Sequence, residues 1–313
     1  MGWLKYIMKT ILTKETEEFI YKIGDEKMNY TGKSYDRQYI KLVERVLEEG
    51  VRDENPRTVY EDGETAYSYR VFGHSFTLRP TDIPLLLTKR VGLKDSVIEL
   101  VEWMWQLRSN DVGMLQELGC NVWNQWQDEN GTIGEAYGFM LNKKVDGTDR
   151  NQVDNLIHNL KNNPDSRRHI VSLWGIENGH KMELKPCVYE SQWVVLDGYL
   201  HVAVNSRSTD VALGLPYNIA QYWVLHKLIA NEVGLKAGYM KFNMSIPHIY
   251  DRHIEELKAQ VNHYYFFKDE ISTKPLSIDL DMTKGFYGFS HKDINYDDYK
   301  KMKLPKRKFE VAE

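Results

Sequence analysis

The sequence predicts a single α+β domain. Two observations support this α/β class. Strand, hairpin and helix patterns are mixed along the chain, and neither an internal repeat nor a low-complexity linker interrupts them. With 313 residues, of which 42% are hydrophobic, the chain can bury a sizeable core. We expect residues 37–313 to form the domain and the polar residues 1–36 to form an extension in front of it.

The first elements follow from hydrophobic periodicity. Apolar residues at helical spacing predict a helix over residues 39–49, which Gly50 ends. Residues 65–78 are rich in β-forming side chains and are predicted as one strand. Residues 93–107 are predicted as a strongly apolar helix.

The second half of the chain carries the clearest β pattern. Residues 188–195 and 199–204 are predicted to pair as a hairpin, because the Asp197-Gly198 pair between them suits a tight two-residue turn. A helix follows. Pro216 lies near its start, where proline is tolerated, and Gly234 is predicted to end it.

Composition excludes several classes of function. The 41 basic and 45 acidic residues give a net charge of −4, which argues against a protein held to DNA by bulk electrostatics. Two cysteines are too few for a disulfide framework and indicate a reducing compartment. The first residues do not resemble a targeting signal, and no apolar run approaches the ~20 residues of a membrane span. We therefore expect a cytoplasmic protein.

Cys187 is the candidate nucleophile. Pro186 precedes it and would fix the backbone just before a strand begins. A lone cysteine is usually a small buried hydrophobe, but a nearby guanidinium would lower its pKa toward a reactive thiolate. Arginines occur at 167–168 and at 207, in polar turns that suit phosphate capture, although such arginines more often form surface salt bridges. Cys120 is interpreted as a packing residue.

Two further patterns are not interpreted as sites. His248 and His253 could suggest a metal, but their five-residue spacing would put them on different faces of a helix, so no metal is expected. His248 and Tyr250 suit hydroxyl or carbonyl partners better. The triplet at residues 32–34 is similar to a phosphate loop, but it lacks the leading glycine and a preceding strand.

Many ordered motifs resemble the thymidylate synthase family, from about residue 37 to the C-terminus. They are Arg57-Thr58, Thr88-Lys89-Arg90, Val122-Trp123-Asn124-Gln125-Trp126, Glu135-Ala136-Tyr137-Gly138, Pro164-Asp165-Ser166-Arg167-Arg168, Pro186-Cys187, Gln192-Trp193, Arg207-Ser208-Thr209-Asp210, Leu213-Gly214-Leu215-Pro216-Tyr217-Asn218 and His248-Ile249-Tyr250. The resemblance implies a mixed α/β domain that forms an obligate homodimer through its sheet faces.

The resemblance also implies a covalent mechanism. Cys187 matches the nucleophile that attacks C6 of dUMP, after which C5 accepts a one-carbon unit from the co-substrate 5,10-methylenetetrahydrofolate. Tyr137 matches a tyrosine that assists proton loss from C5. Glu99 matches the catalytic glutamate if spacing is counted from Lys89, whereas Glu102 competes if it is counted back from Trp103. One residue is inserted between these anchors, so only one carboxylate can face the site; we favour Glu99 and interpret Glu102 as solvated.

The same resemblance implies which residues contact the nucleotide and the folate. Asn218 matches the amide that pairs with the uracil ring, which favours dUMP over dCMP. The phosphate would be bound by Arg57, Arg207 and Ser208, together with Arg167 and Arg168 of the other subunit. His248 and Tyr250 would hold the sugar hydroxyl. The folate pocket would be formed by Val122, Trp123, Asp210, Leu213, Gly214 and Tyr217.

The family contains two outcomes, and the sequence departs from the synthase pattern at several places. If water adds to the C5 methylene the product is 5-hydroxymethyl-dUMP, and if hydride adds it is thymidylate. The departures favour the hydroxymethylase over the alternative thymidylate synthase; they are Asn124, Gly288, Glu313 and residues 245–247. The retained Trp123 and the Phe-Glu-Val-Ala ending favour the synthase. A regulator that binds nucleotide or RNA without turnover would be indicated by loss of Cys187 or the arginines, and all are present.

Overall fold

The computed structural model describes residues 33–312, with side chains described from Tyr35 onward. Most of the predicted extension, including Gly32 of the 32–34 triplet, therefore lies outside the described residues, as does Glu313. The α-helices are Lys33–Glu49, Leu93–Val97, Val112–Glu117, Gly138–Asn142, Gln152–Asn162, Gly214–Glu232, Ile254–Thr273, Gly285–Gly288 and Asp297–Lys301. Short 3-10 turns cover Asn124–Trp126, Gly179–Lys181, Asp251–His253 and His291–Asp293.

The strands of the described residues form three sheets, so the fold is the predicted mixed α/β type. The strands in chain order, β1 to β11, are Val51–Arg52, Ser68–Arg70, His74–Leu78, His169–Ser172, Val188–Leu196, Tyr199–Ser206, Thr209–Asp210, Lys236–Met244, Pro247–Tyr250, Asp279–Leu280 and Ile294–Asn295. The five-stranded sheet has the order β3-β8-β6-β5-β4, and the four-stranded sheet has the order β1-β2-β9-β7. Each of these two sheets contains one parallel pair, β6 with β8 and β7 with β9.

The predicted hairpin is confirmed as β5 and β6. Its turn residues Asp197 and Gly198 have φ of 50° and 77°. Two positive φ values in succession define the mirror-image turn that matches the twist of the strands. The pairing of β5 with β6 shifts register between Val188 and Glu190, which is a β-bulge directly after Cys187.

The prediction of one continuous strand over residues 65–78 is wrong. The structure divides it into β2 and β3, which belong to different sheets. Between them Gly73 has a φ of 68°, a left-handed conformation that glycine adopts without strain. The β-rich composition of the segment marks both strands but not the turn that directs them to separate sheets.

The helix predicted over residues 39–49 begins six residues earlier, at Lys33. It is anchored by Asp36, whose side chain is fully buried. The carboxylate accepts hydrogen bonds from the backbone N–H groups of Leu87 and Thr88 and from the Thr88 hydroxyl, at 2.8–3.2 Å. Burial raises the pKa of Asp36 to about 6, against the lowering effect of these bonds. The helix therefore belongs to the folded core from its first turn.

The apolar segment over residues 93–107 is helical as predicted, but most of it is not an α-helix. It starts as the α-helix Leu93–Val97 and continues as a π-helix over Ile98–Gln106. The wider turn is visible where the Leu107 N–H donates to the Glu102 carbonyl, five residues back, at 2.9 Å. A π segment is the usual way for a helix to accommodate an inserted residue. Its Trp103 and Trp105 rings are fully buried.

The helix Gly214–Glu232 is the centre of the core. It packs on β8 and β6, and Ile219, Leu225 and Ile229 are fully buried. Gly234 follows it with a φ of 73°, as predicted for the residue that ends the helix. Within residues 33–312 no helix is both long and apolar enough to cross a membrane.

Replacing Asp36 with alanine should lower the free energy of unfolding by roughly 2–4 kcal/mol, because it leaves buried donors without an acceptor. Urea denaturation at one fixed protein concentration measures this. The control is Glu48→Ala on the exposed side of the same helix, which should change the free energy by less than about 0.5 kcal/mol. Equal unfolding midpoints for the two variants would contradict the anchoring role of Asp36.

Candidate active site

Cys187 lies where the two ends of the hairpin meet. It directly precedes β5, and its carbonyl accepts hydrogen bonds from the Arg207 N–H at 2.9 Å and the Ser206 hydroxyl at 3.2 Å. Both donors follow from the register of β5 and β6, in which Val188 faces Ser206. The backbone that carries the thiol is therefore fixed by the sheet.

Arg207 lies beside Cys187 but, contrary to the prediction from sequence, it does not bring the pKa of the thiol below its ordinary value. Its Nε donates to the Pro186 carbonyl and its Nη2 to the Lys185 carbonyl, both at 2.9 Å. Burial raises the pKa of the Cys187 thiol, Arg207 lowers it and Asp210 raises it, so that the pKa lies above its ordinary value. The prediction of a depressed pKa is wrong because burial outweighs the guanidinium.

Glu99 is the centre of a hydrogen-bonded chain. The Trp123 indole N–H donates to its Oε1 at 2.8 Å, and Gln221 Nε2 donates to its Oε2 at 2.6 Å. The Asn218 amide donates in turn to Gln221 Oε1 at 3.1 Å. Burial raises the pKa of Glu99 to about 7, against the lowering effect of the two donors. A carboxyl group with this pKa can hold or release a proton near neutral pH.

Glu102 is not the solvated residue that was predicted. Its side chain is only 8% exposed, and its Oε1 accepts hydrogen bonds from the His291 N–H at 2.6 Å and from the His291 ring at 2.8 Å. In an α-helix, residues three apart share one face. The π-helix separates them, so that Glu99 contacts Trp123 and Gln221 while Glu102 contacts the 3-10 turn that begins at His291.

Tyr137 connects the thiol to this chain. Burial raises the pKa of the Tyr137 hydroxyl, and Cys187 is among the neighbouring groups that act on this pKa. The Tyr137 ring packs edge-on against Trp123, with 5.1 Å between the ring centroids. Its φ of 44° is strained for a tyrosine. The following Gly138 permits this turn, since a Cβ there would lie 1.9 Å from the Ser109 carbonyl oxygen. The chain passes close to residue 109 at this point and directs Tyr137 toward Cys187.

The parallel pairing of β7 with β9 brings three more predicted site residues together. Asp210 faces His248 in the register, and the His248 ring contacts the Tyr250 ring at 5.1 Å. Asp210 Oδ1 accepts hydrogen bonds from the Ala212 and Leu213 N–H groups at 2.8 and 3.0 Å, just before the long helix starts. Burial lowers the pKa of His248, which favours the neutral ring, and raises the pKa of Tyr250 to about 12.

The strand geometry corrects one argument made from spacing. The segment with His248 and His253 is a strand followed by a 3-10 turn and not a helix. His253 is fully buried and donates to the Glu310 carbonyl at 2.7 Å. No group of three or more metal-binding side chains occurs in the part of the chain that the structure describes.

The other predicted ligands surround this centre. Gly214 and Tyr217 lie in the first turn and a half of the long helix, and Gly214 packs close to Asn218 and Asp210. Trp123 is buried, whereas Val122 is 45% exposed. Four residues assigned to the phosphate are exposed or partly exposed, namely Arg57, Arg167, Arg168 and Ser208. Arg167 and Arg168 precede β4 at the edge of the five-stranded sheet.

Sequence reasoning missed Gln221 and Lys89 as site residues. Gln221 lies three residues after Asn218 on the same helix, so i,i+3 spacing could have identified it. Lys89 is buried, donates to the Ala212 carbonyl, and lies 5.7 Å from the Tyr217 ring. Burial lowers the pKa of Lys89 to about 8. The Thr88-Lys89-Arg90 motif assigns no role to Lys89, because its partners lie more than 100 residues away.

The two thiols should differ in reactivity. Cys120 is 2% exposed and burial raises its pKa to about 11, whereas Cys187 is partly exposed. Iodoacetamide should therefore label Cys187 first, as peptide mass spectrometry would show. Because the thiolate reacts and the pKa of Cys187 is raised, the rate should increase about tenfold per pH unit from pH 7 and still be rising at pH 9. Earlier labelling of Cys120, or a plateau below pH 8, would contradict this assignment.

Comparison with known proteins identifies the family. A thymidylate synthase family profile matches residues 37–313. The chain is 42% identical over 272 residues to thymidylate synthase 1 of Bacillus spizizenii, covering 85% of this chain and 95% of the relative, and the thymidylate synthase of Bacillus phage phi3T gives the same values. The solved structure of thermostable thymidylate synthase A from Bacillus subtilis matches with a TM-score of 0.82 and 40% identity, covering 89% of this chain and 99% of that one. The chain belongs to the thymidylate synthase family.

Proposed function

We propose that the chain is a thymidylate synthase, a C1 transferase that converts dUMP to dTMP with 5,10-methylenetetrahydrofolate as co-substrate. The relatives described above are named thymidylate synthases, and each is matched over at least 95% of its length. None of them is a hydroxymethylase. This similarity therefore favours the synthase over the hydroxymethylase that the departures in sequence suggested, and those departures are differences between members of one family.

The observation that carries the proposal is the grouping of Cys187 with Tyr137, Trp123 and Glu99. Cys187 acts on the pKa of Tyr137, the Tyr137 ring packs against Trp123, and the Trp123 indole donates to Glu99. A thiolate of Cys187 would attack C6 of the pyrimidine, and the electron pair of the C5–C6 double bond would move to C5. This makes C5 a nucleophile for the one-carbon unit.

Side chains of the protein would then transfer protons to and from the bound pyrimidine. Proton exchange with a bound pyrimidine is assigned to Tyr137 and Glu99, since Cys187 and Glu99 both act on the pKa of Tyr137. With a pKa of about 7, Glu99 can protonate a ring oxygen and take the proton back within one turnover. Assistance of proton loss from C5 is assigned to the Tyr137 hydroxyl.

Selection of uracil is assigned to Asn218. An amide offers a donor and an acceptor together, which matches the O4 and N3–H edge of uracil. The hydrogen bond from Asn218 to Gln221, and from Gln221 to Glu99, fixes the orientation of this amide. Cytosine presents a different edge, so we propose dUMP and not dCMP as the substrate.

The nucleotide phosphate would be held by Arg57, Arg207 and Ser208, and by Arg167 and Arg168 of a second subunit. Arg167 and Arg168 are exposed beside β4, and neither is among the charges that act on Cys187 in the same chain. The outer face of the five-stranded sheet supports a homodimer, since alternate residues of β6 remain partly exposed there. Two sheets packed through these faces would bring the arginines of one chain to the site of the other.

The residues at the start of the long helix fit a folate. A planar pterin would contact Trp123, Leu213 and Tyr217, and the Asp210 carboxylate would accept its N–H groups. The folate would supply the methylene carbon and the hydride. The protein contributes the closed apolar surroundings that keep water from the C5 methylene before hydride arrives. The Phe309 ring lies 4.7 Å from Lys89 and 5.1 Å from His253, and Lys89 in turn lies 5.7 Å from the Tyr217 ring, so Phe309 lies beside this region.

Incubating the protein with dUMP and methylenetetrahydrofolate should yield dTMP and dihydrofolate in equal amounts, identified by mass. Cys187→Ala should lower the rate by at least ~10³-fold, because it removes the nucleophile. Cys120→Ala is the matched control and should retain activity, since Cys120 is a buried packing residue. With dCMP in place of dUMP, no product is expected.

Other products would overturn parts of the proposal. Formation of 5-hydroxymethyl-dUMP with tetrahydrofolate would establish the hydroxymethylase instead. Neither product, with dUMP still bound equally by Cys187→Ala, would indicate a binding protein without turnover. Preferential conversion of dCMP would show that Asn218 does not select uracil.

A further inference from the structure

The last described residues are fixed to the domain at several points. We call residues 307–312 the tail. The Arg307 guanidinium donates to the Thr88 carbonyl at 3.0 Å and forms an ion pair with Glu256 at 2.5 Å. Phe309 packs against the His253 ring, and the His253 ring donates to the Glu310 carbonyl. Lys89 Nζ lies 4.7 Å from the Phe309 ring centroid and 5.7 Å from that of Tyr217, so the tail lies beside the region assigned to the folate.

A second segment meets the tail at its end. We call residues 57–65 the Arg57 loop. The loop is a tight turn in which Val59 bridges Thr65 and the Tyr60 N–H donates to the Glu64 carbonyl. Tyr60 also forms an antiparallel bridge with Ala312 of the tail. The segment that carries a proposed phosphate ligand is thus in direct contact with the tail.

Arg252 connects the two segments. Its Nη1 lies 2.9 Å from Asp62 Oδ2 of the Arg57 loop and 2.6 Å from Glu310 Oε2 of the tail. The guanidinium also lies over the Tyr60 ring, with its central carbon 4.1 Å from the ring centroid. The Arg252 N–H donates to the Tyr60 hydroxyl at 3.2 Å. One side chain thus holds a carboxylate from each segment.

The charges explain why the connection depends on Arg252. Asp62 and Glu310 are both acidic, and with Arg252 absent they would repel each other across the contact. The neighbouring Asp251 is already hydrogen-bonded to the Tyr60 hydroxyl at 2.5 Å and adds negative charge. The three ion-pairing side chains are 32–58% exposed, and exposed ion pairs are weak. A contact this weak can open and close. We call the ion pairs of Arg252 with Asp62 and Glu310 the latch.

We propose that Arg252 is a positioning residue that couples closure of the tail to the Arg57 loop. When the phosphate of dUMP holds the loop through Arg57, Asp62 is held in place, and Arg252 then favours the closed position of Glu310 and the tail. The nucleotide would in this way prepare the cover over the folate before the C5 methylene forms. The coupling to dUMP and its chemical consequence rest on the proposed function, whereas the contacts of Arg252 with Asp62 and Glu310 do not.

The latch is tested first without turnover, by hydrogen exchange of the tail. In the protein alone, Arg252→Gln should increase the exchange rate of the peptide containing residues 307–312 by roughly two- to tenfold. Adding dUMP should slow this exchange in the wild type and have little effect in Arg252→Gln. Arg52→Gln is the matched control, because Arg52 also pairs with one carboxylate, Glu54, and lies over a tyrosine ring, Tyr67, without touching the tail.

Glu310→Gln removes only the ion pair of Arg252 with the tail, and Asp62→Asn removes only its ion pair with the Arg57 loop. These two variants also replace Arg252→Gln if that variant does not fold. Glu310→Gln should accelerate tail exchange with and without dUMP. Asp62→Asn should reduce mainly the protection that dUMP adds. Unchanged tail exchange in both Arg252→Gln and Glu310→Gln, or an equal change in Arg52→Gln, would overturn the latch whatever the activity of the protein.

The chemical consequence is read from the products. In Arg252→Gln the fraction of 5-hydroxymethyl-dUMP among the products should rise several-fold, and KM for methylenetetrahydrofolate should rise more than KM for dUMP. A purely structural role would lower total activity without shifting this partition. If the wild type forms no dTMP, the proposed function fails, while exchange of the tail measured with and without dUMP still decides the latch.

Discussion

Glu99 is a buried carboxylate that still has two hydrogen-bond donors, and the rest of the site depends on it. Burial favours its neutral form, whereas the Trp123 indole and the Gln221 amide favour its charged form. Burial outweighs the two donors, which places the pKa of Glu99 at about 7, above the ordinary glutamate value. The same hydrogen bonds orient Trp123 toward Tyr137 and orient Gln221 toward Asn218. One interaction thus adjusts the proton equilibrium and also positions the residues assigned to substrate recognition.

The π-helix makes this arrangement possible. Glu99 and Glu102 are three residues apart and would share one face of an α-helix. In the wider turns of Ile98–Gln106 they have separate partners, so Glu102 is satisfied by His291 and does not compete for the site. Two carboxylates in one pocket would raise each other's pKa and disturb the balance at Glu99.

Local patterns predicted the elements that depend on nearby residues. The hairpin turn at Asp197, the end of the long helix at Gly234 and the start of a strand after Cys187 all follow from conformational preferences of one or two residues. The order of motifs was enough to name the family. Cys120 is buried as predicted.

What the sequence could not predict depends on burial and on distant partners. The pKa of Cys187 is raised because the folded chain removes water from it, and no neighbouring residue in sequence indicates that depth. The segment 65–78 breaks at Gly73 because its two halves pair with strands of two different sheets. The role of Arg252 depends on Asp62 and Glu310, which lie far from it in sequence.

The account depends most directly on the protonation of Glu99. Infrared difference spectra of the wild type minus Glu99→Gln, recorded from pH 5 to 9, isolate the carboxylic acid band of this one residue. The structure predicts that the band disappears with a midpoint near pH 7, since burial raises the pKa and the acid form persists below it. A midpoint near the ordinary glutamate value of ~4.3 would contradict the account, because Glu99 would then be permanently charged at neutral pH.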